Sequence, residues 1–260
     1  MRNGNSENAL PERRVLNIAI LLVPLIYTII RAYRLSITHD EALTFLLHAS
    51  RSFDEIIHFS RPIKLNNHLL NTLLIKLFSG IWTPTEIVIR TPALLGHALY
   101  LTGVYLLTRR YLKGIALTSS LIILTCHPFL LDLFSCARGY ALGLGFMMFG
   151  LLFLLIALEL PGRPQRQMIL SCLSVVMMTA AVLSNLVFLH VMIIDALLIF
   201  SFSSLDVWRS KKANEKACGH DSGKLLIVVA VQLLAAVSLV RILYKPVRSM
   251  MDGHEFFFGG

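Results

Sequence analysis

Seven stretches of the chain are apolar over the length needed to cross a lipid bilayer: about 15 to 30, 91 to 108, 115 to 131, 139 to 160, 167 to 184, 186 to 204 and 224 to 243. Lipid offers the backbone no hydrogen-bond partners, so runs of this kind are confined to helices that satisfy their own N–H and C=O groups. At 56% hydrophobic and 15% charged residues, with a mean hydropathy of +0.70, the chain has too little polar surface for a soluble domain. The expectation is an all-α integral membrane protein of about seven transmembrane helices. The first run is short and contains Pro24, so it borrows flanking residues to cross. Arg13-Arg14 ahead of it resembles a signal peptide, but Arg31-Ala32-Tyr33-Arg34 follows with no small-residue cleavage pattern, and the span is read as retained.

A net charge of +9 raises the question of nucleic acid as a partner, yet the basic residues fall in short clusters between apolar runs. With residues 1–14 cytoplasmic, the clusters Arg109-Arg110-Tyr111-Leu112-Lys113, Arg163 to Arg166, and Arg209 to Lys224 all lie inside. The connections at His127 to Tyr140 and Ser184-Asn185 lie outside with one base between them, Arg138. That is the positive-inside pattern, and it excludes nucleic acid as the reason for the charge. The transmembrane domain then covers 15–243, with a cytoplasmic linker at 205–223 and an external C-terminal segment at 244–260. Cys126, Cys136, Cys172 and Cys218 show neither metal-knuckle spacing nor a disulfide framework.

Residues 31–90 form one long external loop. Within it, Ala42, Leu46, Ala49, Phe53 and Ile56 recur at helical spacing, with His48, Arg51, Asp54 and Glu55 elsewhere on the wheel, which predicts an amphipathic helix over 42–59. A second helix carries Lys64, Asn67, His68 and Asn71 on one face and Leu69, Leu70, Leu73 and Leu77 on the other. A full crossing here would bury Lys76 at about 2.5–3.5 kcal/mol and reverse every later loop. It is therefore placed at the interface or dipping into a protein cavity. Thr83-Pro84-Thr85-Glu86 predicts a helix start with Thr83 as N-cap and Pro84 in first position.

Thr38-His39-Asp40-Glu41-Ala42 sets two carboxylates at the membrane surface immediately after the first span. Together with Asn66-Asn67-His68-Leu69-Leu70-Asn71, Ile89-Arg90-Thr91-Pro92-Ala93-Leu94-Leu95, His127-Pro128-Phe129 and Ala137-Arg138-Gly139-Tyr140-Ala141-Leu142, in that order, this resembles the GT-C superfamily of polyprenyl/dolichyl-phosphate-sugar-dependent glycosyltransferases. The likeness is to the mannosyltransferase and aminoarabinose-transferase branch, over roughly residues 10 to 160. Members of that branch are generally much longer, so the resemblance implies an N-terminal half or a reduced homologue, and in either case donor-binding residues of later spans would be missing.

The resemblance implies a bacterial inner or plasma membrane location, a polyprenyl-phosphate-linked sugar donor, a lipid, glycan or protein acceptor, and inverting transfer at the non-cytoplasmic face. It makes Asp40 the general base or acceptor-positioning group, with Glu41 beside it as the second catalytic candidate. Lys64, Asn67, His68, Arg138 and Tyr140 become candidates for substrate binding, since a guanidinium binds phosphate oxygens in bidentate fashion. Plainer readings stand beside these. Thr38-x-x-Glu41 is a capping box, and Asp40 suits the positive end of a helix. Arg138 can snorkel, and Asp132 can be a loop carboxylate. Two carboxylates are too few to specify a cofactor, although a divalent cation sharing Asp40 with the donor phosphate is compatible with them. Asp195, within the apolar run Val191 to Phe200, is read as a structural hydrogen-bonding group. Two alternatives to an enzyme remain: a catalytically inactive protein that binds the lipid carrier, and a small transporter resting on Asp195.

Overall fold

The computed structural model describes residues 5–58, 68–160, 163–212 and 218–252, and among these every regular element is helical. In chain order they are α1 (Asn5–Arg34), α2 (His39–Leu43), a π-helical segment (Thr44–Ala49), α3 (Phe53–His58), α4 (Leu69–Ile81), α5 (Glu86–Tyr111), α6 (Gly114–Thr125), α7 (Pro128–Phe134), α8 (Tyr140–Leu158), α9 (Pro164–Ser184), a 3-10 turn (Leu186–Phe188), α10 (Leu189–Lys212) and α11 (Cys218–Asp252). Among the described residues, six helices are long and apolar enough to cross a membrane, and the bent pair α6–α7 makes a seventh if it counts as one crossing. The run 115–131 is broken by 55° at Cys126-His127. Pro128 supplies the reason, since its ring removes an N–H and pushes His127 (φ −71°, ψ 120°) out of the helical region.

α5 and α8 form the centre. Their backbones approach closely because both carry glycine at the crossing: a Cβ on Gly96 would stand 2.3 Å from Leu142 N, and one on Gly145 would stand 2.7 Å from Gly96 O. Helices in lipid associate through such close packing, because burying apolar side chains gives no gain over lipid tails. Ala93, Tyr100, Leu101, Val104, Phe134, Ala141 and Met148 fill the seam. α9 continues the layer through Met178, Ala181 and Val182, which pack with Phe188, Met192 and Leu239. The outer faces of α1, α10 and α11 leave Val23, Ile30, Ile194, Leu197, Leu234 and Val240 each about half exposed or more. An apolar surface on that scale belongs to a multi-pass membrane protein with lipid around it.

The two ends of the bundle differ. At one, Arg110 of α5 ion-pairs with Glu159 after α8, and Tyr111 donates to the same carboxylate. At the other gather the C-terminus of α1, α2 to α4, and the N-termini of α5 and α8.

Several expected boundaries move. The helix predicted over 42–59 is divided: the π-helical segment follows α2 directly, with Ser50 N donating to Phe45 O at 3.1 Å, and Ser52 then starts α3 in a reciprocal box with Glu55. The helix containing His68 begins only at Leu69, with His68 as its N-cap. α5 begins at Glu86 with Thr85 in the extended cap position, which displaces Thr83 and Pro84 from the roles expected of them. α1 stays helical to Arg34, so the loop between spans covers 35–85 rather than 31–90. The segments 205–223 and 244–260 are largely helical where described, to Lys212, from Cys218, and on to Asp252.

Candidate functional site

The capping-box reading of Thr38-x-x-Glu41 is realised: Thr38 N–H donates to Glu41 Oε2 at 2.8 Å, and the Thr38 hydroxyl accepts from Glu41 N–H. The carboxylate does much more than cap. It is fully buried and faces Arg90 of α5 in a two-pronged pair, Nε to Oε1 and Nη2 to Oε2, both at 2.7 Å. Ala137 N–H donates to Oε1 at 2.8 Å. All four acceptor positions of the carboxylate are thereby used.

Arg90 is matched just as completely. Its remaining three N–H groups go to the carbonyls of Ala32 at 2.7 Å, Leu35 at 2.6 Å and Ser36 at 3.0 Å. These are orphan carbonyls at the end of α1, so an arginine on α5 acts as the C-cap of another helix. Burial pushes the Glu41 carboxyl up, but the bonds from Arg90, Ala137 and Thr38 outweigh it and hold it below the ordinary value. Removing either partner of such a pair strands a buried charge, at about 3–5 kcal/mol.

This knot shapes the ground on which Asp40 stands. Asp40 is about one-third exposed and forms an ion pair with Arg138, which is similarly exposed. The segment carrying Arg138 is pinned on both sides of Ala137: its N–H goes to Glu41, and its carbonyl accepts from the buried Asn71 Nδ2 at 3.1 Å. Gly139 then turns the chain into α8 with φ +75°, where a Cβ would collide with Ser184 O at 2.2 Å and press on His68 Cβ at 3.2 Å. That contact sets His68 beside Tyr140, with ring centres 6.1 Å apart. Burial, aided by the Arg138 charge, pushes the His68 imidazole down to about 4, so at neutral pH it is an uncharged donor and acceptor. His48 of the π-helical segment is buried, has no hydrogen-bond partner on either ring nitrogen among the described residues, and is likewise pushed down to about 4 by burial. Arg138 Nε is also buried and has no partner among the described residues.

Four residues named from the sequence, Asp40, His68, Arg138 and Tyr140, thus come together at one end of the bundle. Glu41 is adjacent but sealed beneath them. Lys64 and Asn67 lie outside the described residues. Asp132 pairs with Arg31 of α1 at 2.9 Å, whereas Arg138 pairs with Asp40. Asp195 accepts a hydrogen bond from Ser174 at 2.8 Å, which agrees with a structural role; the bond comes from α9, not from the neighbouring His190. Three contributors went unassigned. Arg90 is an isolated charge near the start of an apolar run, which is itself a signal of a paired or functional group. Asn71 was visible on the polar face of its helix. His48, expected on the polar side of a surface helix, is instead buried. Among the described residues no group of three His, Cys, Asp or Glu side chains is arranged to hold a metal. No family model, curated protein or solved structure matches the chain.

Proposed function

We propose that this chain belongs to a membrane glycosyltransferase of the GT-C type, moving a sugar from a polyprenyl-phosphate donor to a lipid, glycan or protein acceptor with inversion. The observation that carries the reading is the Asp40–Arg138 pair, partly open and mounted on a buried, fully bonded platform. Arg138 exchanges Asp40 for the donor phosphate when the donor arrives, and its spare Nε–H joins the contact. Asp40, released, accepts the hydrogen bond of the acceptor hydroxyl. The bond from the anomeric carbon to the phosphate oxygen breaks as the bond to the acceptor oxygen forms. The acceptor proton passes to Asp40, and the electron pair leaves with the phosphate, whose charge Arg138 meets. Tyr140 and the uncharged His68 imidazole orient sugar hydroxyls beside them.

Seven crossings accompany this reading. Thr118 of α6 donates to Asn17 near the start of the α1 span at 3.2 Å, and Asp132 of α7 meets Arg31 near its end. The bent pair therefore advances along α1 by roughly 21 Å at 1.5 Å per residue. The Asp40 end is the non-cytoplasmic one, because the basic clusters gather at the other.

Asp40→Asn tests the chemistry. In membranes supplied with a polyprenyl-phosphate sugar, transfer is expected to fall by about 10²–10⁴-fold with no change in melting temperature. Unchanged transfer removes Asp40 from the mechanism. Binding of polyprenyl phosphate by a wild-type protein that never turns over establishes the inactive lipid-carrier reading, which Arg138 alone is enough to support.

A further inference from the structure

Two adjoining hollows of about 300 and 430 Å³ flank the end of α1, and Arg34 and Leu35 line both. Neither is lined by Asp40, His68, Arg138 or Tyr140. Arg34 is exposed and has no hydrogen bond or ion pair among the described residues, whereas Arg31 beside it is engaged by Asp132 at 2.9 Å and reaches the Tyr27 hydroxyl at 3.4 Å. The second hollow adds the Tyr33 and Ser36 segment and the start of α5 at Thr85, with the Glu86 carboxylate present but not paired to Arg34.

Beneath Arg34, the residues at helical spacing on the same face are Ile30, Tyr27 and Val23, exposed by 50%, 45% and 64%. The stripe from Val23 to Arg34 rises roughly 16 Å, about half of a ~30 Å hydrocarbon core. One leaflet's acyl chain has that length. A free anion would use the guanidinium and ignore the stripe; an uncharged lipid would use the stripe and leave the guanidinium uncompensated. We propose that this face of α1 is a binding site for an anionic phospholipid, its phosphate on Arg34 and a chain lying against Ile30, Tyr27 and Val23. The site is separate from the sugar-transfer reading and does not depend on it.

The test is native mass spectrometry of the purified protein titrated with phosphatidylglycerol or phosphatidylcholine. The expected result is preferential retention of phosphatidylglycerol, reduced about fivefold in Arg34→Ala and largely restored in Arg34→Lys. Asp40→Asn should leave retention unchanged, which separates failure here from failure of the catalytic assignment. Equal retention of the two lipids, equal retention by wild type and Arg34→Ala, or complete displacement of phosphatidylglycerol by millimolar inorganic phosphate overturns the proposal.

Discussion

Adjacent carboxylates in one motif have opposite fates. Glu41 is saturated by Arg90, Ala137 and Thr38, while Asp40 stands partly open to solvent with Arg138 before it. Glu41→Gln should therefore lower stability by about 3–5 kcal/mol, seen as a fall in melting temperature in detergent, because the buried guanidinium keeps its charge and loses its counterpart. Arg90→Lys should cost a similar amount, since one ammonium cannot serve two carboxylate oxygens and three carbonyls. Glu41→Met combined with Arg90→Met should be milder than the sum of the single changes. Additive losses would show that the two groups do not act as a unit. The box at Thr38-x-x-Glu41 could be read from spacing alone; the partner 49 residues away could not.

At the scale of elements, Gly139 joins α8, α9 and the start of α4. Gly139→Ala meets two penalties: the left-handed φ of +75°, at about 1–2 kcal/mol, and a clash with the Ser184 carbonyl, which is backbone and cannot rotate aside. The expected outcome is a lowered melting temperature together with loss of the sugar transfer proposed above, since His68 and Arg138 flank this glycine. A variant matching wild type in both measurements would show that the turn is not needed to place the site. Local signals misled elsewhere. Thr83-Pro84 resembles a helix start, yet α5 begins at Glu86, and the apolar periodicity over 42–59 conceals both a π-helical widening and a break at Ser52. Periodicity reports which side of a segment is apolar. It does not register a single inserted residue or an alternative cap close by.

Across the whole molecule, the long apolar runs and their basic connections were enough to anticipate a helical bundle for lipid, because length and composition alone decide that question. What they left out is how the ends are tied, which depends on pairs distant in sequence. The ionisable groups at the site end give the molecule a common pH response. His48 and His68 are held down to about 4 from an ordinary 6.5, so their contribution is complete above pH 6.5 and declines toward pH 4, where the unfolded chain binds protons that the folded one refuses. Glu41, also held low, loses its contribution as pH falls below the ordinary carboxylate value. All three act in the same direction. Stability should fall steadily from pH 7 to pH 4.5, by at most about 1.4 kcal/mol per pH unit for each histidine, seen as a falling melting temperature, and His48→Leu should flatten the profile. A profile independent of pH over that range would show that neither imidazole is held neutral by the fold.

Arg90 closing the end of α1 has a consequence for how the protein is made. The first helix enters the membrane with its last carbonyls unanswered, and they stay so until α5 has followed it. Glu41 must wait longer, because Ala137 lies 96 residues further along the chain. The platform under Asp40 is thus completed only by a late arrival, and a nascent chain halted before α8 would carry the acidic motif without the arrangement that gives it a purpose.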